Sequence, residues 1–206
     1  MKKITLSLVF LIIAISTAIA QDNFSFGPKI GVDYTHFWGK NSINGGKISY
    51  QIGAFFEKGL SNKFAIAPEI VFASQGPIVD GAKMLSNTDI LHTKNTYHLN
   101  YINIPIIFKY YVSNNLSIDF GPQIGINVYG KCTMKDENDI STTVDANAKK
   151  FDFGLGLGAT YNFTEKIFIQ ARYTMGLTEA KKYLEAGFFK VEEKNGNAQI
   201  SIGYRF

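Results

Sequence analysis

The side chains in this sequence that could carry out chemistry are three histidines, several serines, one cysteine and a short acidic run. A histidine beside a serine can take the proton of its hydroxyl and activate it as a nucleophile. The candidates for such a pair are His36 or His98 with Ser49 or Ser74, and no spacing singles out one combination. The third histidine, His92, falls in a polar stretch, and the sequence has no G-x-S-x-G and no glycine-rich phosphate loop. We therefore expect no catalytic residues and no enzyme.

Metal and redox chemistry find equally little support. Asp136, Glu137 and Asp139 cluster in a polar segment, but the twelve-residue calcium loop with its glycine and terminal glutamate is absent. Cys132 is the single cysteine, so it can form no internal disulfide, and no activating motif surrounds it. The sequence predicts no metal site and no cofactor.

The elements that position the remaining polar residues are strands. In 197–206, apolar residues fall at every second position up to Phe206, which is the period of a β-strand. The same alternation recurs in 24–35, 48–58, 63–74, 96–111, 116–128, 151–163 and 167–177, so eight strands are predicted. Segment 96–111 is nearly all apolar around 102–108, and its register stays open.

The connections between these strands alternate in length. Tight turns fall near 60–62, 113–115 and 164–165, whereas longer polar connections span about 37–47, 75–95, 130–148 and 178–196. Short turns at one end and long loops at the other are typical of an outer-membrane barrel. The sequence thus predicts an all-β fold, an eight-stranded antiparallel up-and-down transmembrane β-barrel.

Charged residues on the polar faces of the strands favour a membrane barrel over a soluble lipid carrier of the lipocalin type. A carrier has an apolar lumen, whereas a membrane barrel has a polar one. Nine charges, four basic and five acidic, are assigned to the lumen as a mutually paired network: Lys29, Asp33, Glu57, Glu69, Lys109, Asp119, Asp152, Arg172 and Arg205. Twelve residues at about 3.3 Å each, tilted by about 45°, span roughly 28 Å, close to the thickness of the bilayer core. The lipocalin-like lipid-binding barrel remains an alternative.

Composition and the N-terminus agree with an exported protein. The chain is 14% aromatic and 18% charged, against about 25% charged in ordinary domains, which excludes a disordered chain. Residues 1–20 combine Lys2 and Lys3, an apolar run and an Ala-x-Ala end, and are predicted to be a signal peptide, leaving 21–206 as the barrel domain. Without the two leader lysines, 19 basic residues face 17 acidic ones, and no basic cluster suggests nucleic-acid binding.

Aromatic residues bunch at the predicted strand ends, where membrane proteins carry interfacial girdles. Those predicted at the short-turn end are Tyr110, Tyr111, Tyr161, Phe163, Tyr204 and Phe206. Those predicted at the long-loop end are Tyr34, Phe37, Trp38, Tyr50 and Tyr129.

Three stretches carry a family resemblance. They are 101–111 (YINIPIIFKYY) followed by 119–125 (DFGPQIG), the glycine-alternating 153–161, and the ending at 200–206. Through them the chain resembles the PorT-like outer-membrane β-barrels of Gram-negative bacteria, relatives of the small OmpA/OmpX-type barrels. The resemblance implies that the terminal strand, with Tyr204 and Phe206, is read by the barrel-assembly machinery.

These observations together lead to an expected function. We expect a non-enzymatic barrel in the cell outer membrane with both termini periplasmic, a lumen filled by side chains, and loops that present a surface for adhesion or partner binding. Its expected partners are outer-membrane lipid and lipopolysaccharide, the barrel-assembly machinery and an extracellular loop ligand. Because some eight-stranded barrels modify lipid A with histidine, serine and a carboxylate near the outer rim, a lipid A-modifying enzyme remains the second alternative.

Overall fold

The computed structural model describes residues 24–39, 45–84, 90–136, 139–179 and 194–206. The predicted signal peptide lies outside these residues. The strands are β1 (Phe24–Trp38), β2 (Gly46–Gly59), β3 (Phe64–Gln75), β4 (Ile78–Met84), β5 (Ile90–Tyr111), β6 (Leu116–Asp136), β7 (Ser141–Asp145), β8 (Phe151–Asn162), β9 (Ile167–Glu179) and β10 (Lys194–Tyr204). No helix within the described residues is long and apolar enough to cross a membrane.

Eight of the ten strands form a closed antiparallel ring in the order β1, β2, β3, β5, β6, β8, β9 and β10. The ring closes because β10 pairs with β1 and β5 pairs with β6. In the register, Val32 lies opposite Tyr50 on one side and Ile200 on the other, so apolar residues stay on one face around the barrel. The predicted eight-stranded barrel is confirmed.

The three short turns define one end of the barrel, which we call the turn end; the opposite end is the loop end. Two of the turns are closed by a hydroxyl that accepts main-chain N–H groups two and three residues on. Ser61 Oγ accepts from Lys63 and Phe64, and Thr164 Oγ1 accepts from Lys166 and Ile167. This is the chemistry expected of Ser and Thr at turns.

The long connections 75–95 and 130–148 were predicted as loops, and in this the prediction is wrong. Strand β4 pairs with residues 90–96 of β5, and β7 pairs with residues 131–135 of β6. Strands β5 and β6 therefore continue past the ring, and we call β4, 90–96, 131–136 and β7 the outer sheet. The strands of the outer sheet lack the alternation of apolar and polar residues that marks the strands of the ring. In β7, for example, all five residues are exposed, so neither face is apolar and buried.

Two local features explain where the alternation stops. Gly76 separates β3 from β4 with a φ of 99°, in the left-handed region that favours glycine, and Pro77 follows it without an N–H. Asn100 and Tyr101 of β5 pair with Tyr129 and Asn127 of β6, so Val128 is an extra residue in β6, and Val128 and Tyr129 are both exposed. This bulge reverses the parity of β6 beyond residue 128.

The two faces of the wall have opposite polarity. Large apolar side chains point outward, as shown by the exposed fractions of 64% for Leu157 and 55% for Ile202. Polar and charged side chains point inward and are buried, as shown by 2% for Lys29 and 1% for Asp119. A lipid carrier needs the reverse arrangement, so the lipocalin alternative is wrong. Tyr111 and Phe37 also differ from the girdle prediction, since Tyr111 binds a lumen carboxylate and Phe37 is buried in the interior.

Candidate functional site

The lumen holds a central cluster built around Glu69. Arg172 on β9 donates two parallel hydrogen bonds to the Glu69 carboxylate, at 2.7 and 3.0 Å, and Lys29 Nζ donates to it at 2.8 Å. All three side chains are at most 3% exposed. Gln170 accepts from Lys29 at 2.8 Å and donates to Asp119 at 3.1 Å, which extends the cluster across the barrel. Paired in this way, charges that would be costly to bury alone rigidly fill the middle of the lumen.

A second group, the turn-end cluster, surrounds Glu57. Lys109 Nζ donates to Glu57 at 2.8 Å, Arg205 lies 3.5 Å from it, and the Tyr111 hydroxyl donates to its other oxygen. Lys109 and Arg205 also lie 5.6 and 5.5 Å from the ring centroid of Phe168, so they contact its π-face as well.

The remaining lumen carboxylates have no ion pair among the described residues. Asp119 accepts from the neutral Ser117, Thr160 and Gln170 side chains. Asp152 accepts from Asn195 at 2.7 Å and from Thr178 at 2.6 Å. Neither oxygen of Asp33 has a hydrogen-bond partner in the described part of the chain. Of the nine predicted lumen charges, the structure thus brings six into two ion-pair clusters and leaves three acidic ones outside them.

The loop end of the lumen is closed by an apolar plug. Its buried members are Phe37, Leu99, Tyr101, Cys132 and Ala146, with Tyr97, Met134 and Ala148 packed against them. Leu99 and Tyr101 are at most 1% exposed, so solvent outside the barrel does not reach them. The Cys132 side chain is buried in the plug and is not part of a disulfide. In the described part of the barrel, a buried apolar layer thus lies on the loop-end side of the two ion-pair clusters.

Sequence reasoning missed the aromatic residues that point into the lumen. Phe55 and Phe168 are each 3% exposed and pack edge to face with ring centroids 5.0 Å apart. Gly203 makes room for this pair, because a Cβ there would collide with the Phe168 ring. The alternation along each strand could have identified both residues. Phe55 lies on the same face of β2 as Glu57, and Phe168 lies on the same face of β9 as Arg172.

The wall of the barrel separates His36 from Ser49. His36 faces outward, stacks between Tyr34 and Tyr173 and lies 3.2 Å from the Tyr173 hydroxyl, whereas Ser49 points inward. His98 and Ser74 do line one outward groove of about 610 Å³. No hydrogen bond joins the His98 and Ser74 side chains in the described structure. The third histidine, His92, lies in β5 and pairs with Ala82 of β4.

The outer sheet carries exposed ion pairs. Lys131 and Asp145 are 3.0 Å apart, and hydrogen bonding to this carboxylate raises the pKa of the Lys131 amino group. Asp136 accepts from the Ile140 N–H and Asp139 pairs with Lys135 at 2.8 Å; Glu137 lies outside the described residues. Within the described ranges, no three His, Cys, Asp or Glu side chains gather as ligands of a metal ion. Asp136 and Asp139 are thus held by local contacts close to the ends of β6 and β7.

The chain is similar to solved outer-membrane proteins of low sequence identity. Ail, the attachment invasion locus protein of Yersinia pestis, is 14% identical, with 88% of this chain and 98% of that chain covered and a TM-score of 0.48. Neisserial surface protein A is 8% identical, with 89% and 97% covered and a TM-score of 0.45. A major outer membrane protein from Thermus thermophilus is 12% identical, with 88% and 99% covered and a TM-score of 0.45. No curated protein matches the chain in sequence.

A match to a family model over most of the sequence shows the family. The family described as "Outer membrane protein beta-barrel domain" matches residues 19–182, most of the ring included. Its implied location agrees with the apolar outward face and the buried polar lumen. The chain belongs to this outer-membrane β-barrel family.

Proposed function

We propose that the protein is a non-enzymatic, closed outer-membrane barrel whose outer sheet binds a partner at the cell surface. The observation that carries the proposal is the continuation of β5 and β6 beyond the ring. At about 3.3 Å per residue and a tilt of about 45°, the 22 residues of β5 rise about 51 Å. The 12 residues of β8 rise only about 28 Å, close to the bilayer core of about 30 Å.

About 20 Å of the β5–β6 hairpin therefore stands in water beyond the bilayer. Its surface suits that environment, since it carries the Lys131–Asp145 pair and a contact between the Thr133 and Thr143 hydroxyls at 3.1 Å. A rigid sheet held above the membrane presents side chains with little loss of entropy on binding. This supports a role in adhesion or partner binding.

The closed lumen argues against transport. A solute would have to cross the Glu57 and Glu69 clusters and then the plug around Leu99. Each cluster is held by several charge-assisted hydrogen bonds, so opening it would leave buried charges unpaired. The proposed function therefore rests on the surface of the barrel.

The proposal includes an orientation, with the turn end and both termini in the periplasm. At this end Phe206 is 68% exposed, lies against Phe26 and Tyr204, and donates its N–H to the Phe26 carbonyl. The exposed aromatic side chains of Tyr204 and Phe206 support their recognition by the barrel-assembly machinery. The narrower kinship with PorT-like barrels rests on the three sequence stretches alone, and the outward apolar face would contact outer-membrane lipid and lipopolysaccharide.

The partner can be sought with a photo-crosslinking amino acid placed at matched threonines. Thr142 lies in β7 of the outer sheet, and Thr164 lies in a turn at the opposite end. Crosslinking on intact cells should give a discrete adduct from Thr142 and not the same adduct from Thr164. Identical patterns from both positions, or no adduct from Thr142, would refute a partner-binding outer sheet.

The enzyme alternative has its own test. His98 and Ser74 share the outward groove, so His98→Ala and Ser74→Ala would abolish any acyl-transfer activity located there. We expect lipid A from cells that express the wild type, either variant or no protein to have one acylation pattern by mass spectrometry. A wild-type pattern that differs, and that reverts in His98→Ala, would show that the protein is an enzyme.

A further inference from the structure

Asp33 is the lumen carboxylate that has neither an ion pair nor a hydrogen-bond partner among the described residues. It lies on β1, directly opposite Ser49 on β2 and Gln199 on β10. Its side chain points inward and is 1% exposed, and neither carboxylate oxygen has a hydrogen-bond partner among the described residues. A carboxylate taken out of water in this way costs several kcal/mol unless something neutralises it.

Two further buried oxygens without partners among the described residues lie near Asp33 in the strand register. Ser49 Oγ and Asn197 Oδ1 are also buried without a hydrogen-bond partner in the described structure, and Asn197 lies two residues before Gln199 on the same inward face of β10. The amide nitrogen of Gln199 donates instead to Thr174 at 3.3 Å, and that of Gln51 donates to Gln199 at 2.7 Å. The amide donors of both glutamines are thus committed elsewhere.

No cation among the described residues forms an ion pair with Asp33. Lys29 lies four residues from Asp33 on the same strand, but its Nζ donates to Glu69 and Gln170. Both terminal nitrogens of Arg172 donate to Glu69, and Lys47 Nζ donates to the Tyr97 carbonyl oxygen. Asp33 is therefore a buried carboxyl group with no ion-pair partner among the described residues.

We propose that Asp33, Ser49 and Asn197 bind a monovalent cation inside the barrel. One carboxylate supplies one negative charge, and hydroxyl and amide oxygens supply the neutral ligands that hard cations prefer. Side chains directly opposite each other on paired strands have Cβ atoms about 4.5–5.5 Å apart, which allows Asp33 and Ser49 to contact one ion. The apolar plug closes the lumen above, beginning with Phe37 on the same strand, and this slows exchange of the ion with the outside.

The test is thermal unfolding of the full-length folded barrel in detergent with NaCl, KCl or choline chloride at equal ionic strength. Sodium or potassium at ten times its dissociation constant should raise the wild-type Tm by about 3–6 °C over choline. Asp33→Asn keeps the shape, removes the charge, and should unfold at one temperature in all three salts. Ser49→Ala should keep the dependence but require several-fold more cation.

Asp152→Asn is the matched control, because Asp152 has its own Asn195 and Thr178 partners. This variant should keep the full cation dependence. No dependence in the wild type, or an equal dependence in Asp33→Asn, would overturn the proposal and leave a proton or water as the partner of Asp33. Stabilisation by CaCl₂ at concentrations below those of NaCl would overturn the assignment to a monovalent ion.

Discussion

Replacing Glu69 by Gln removes the one anion that Lys29 and Arg172 share. The distances of 2.8 Å to Lys29 and 2.7 Å to Arg172 correspond to about 6 kcal/mol of attraction each at an effective dielectric constant of about 20. Most of this attraction offsets the cost of burying the three charges. What remains measurable is the penalty of leaving two buried cations unneutralised.

Breaking a buried pair by removing one partner costs about 3–5 kcal/mol, so Glu69→Gln should lower the free energy of unfolding by at least that range. Lys29→Met should cost less, because Arg172 still holds Glu69 through two hydrogen bonds. The assay is equilibrium unfolding by urea of the protein refolded into lipid vesicles, followed by gel mobility and tryptophan fluorescence.

Glu165→Gln is the matched control, because Glu165 is exposed in a turn at the barrel end. It should change the free energy of unfolding by less than about 0.5 kcal/mol. If Glu69→Gln behaved like Glu165→Gln, or if Lys29→Met were the more damaging change, the central cluster would not hold the lumen together as described.

Three further outcomes are expected. Leu155→Arg puts a charge on the lipid-facing side of β8 and should cost about 2–4 kcal/mol in vesicles, whereas Thr142→Arg in the outer sheet should cost almost nothing; equal effects would argue against a membrane-facing β8. Gly121→Ala should lower the free energy of unfolding in urea by about 1–3 kcal/mol, because the added Cβ would collide with the Ile106 carbonyl oxygen. Gly130→Ala is the control and should cost less, because the nearest side-chain atoms lie 3.3 and 3.4 Å from the added Cβ. A larger loss for Gly130→Ala than for Gly121→Ala would contradict the packing. In planar bilayers the wild type should show no stable current steps because the plug and the ion pairs close the lumen, and large, long-lived steps would contradict that closure.

The sequence predicts the ring well because one simple period governs it. Lys29 and Arg172 fall on the polar face of strongly alternating segments, and the structure buries both. Their shared partner Glu69 is 40 and 103 residues away from them in the chain, so the pairing depends on the stagger of the strands around the barrel. Alternation within a strand carries no information about that stagger.

The outer sheet and the plug were beyond prediction for different reasons. Strand β7 has no buried face, so nothing in Ser141–Asp145 records a side-chain period. The plug takes its members from Phe37, Leu99 and Cys132, which come from three strands and meet only once the ring is closed. The bulge at Val128 and Tyr129 reverses the parity of β6, so reading onward in one register assigns the wrong face.

The central claim is that the apolar outward face of the ring lies in the hydrocarbon of a bilayer. It is tested most directly by brominated-lipid quenching of a single tryptophan at position 155, in a Leu155→Trp variant that also carries Trp38→Phe. Leu155 is outward and 51% exposed near the middle of β8, so quenching should be strongest when the bromines lie near the bilayer centre. Equal, weak quenching by lipids brominated at every depth would contradict the account.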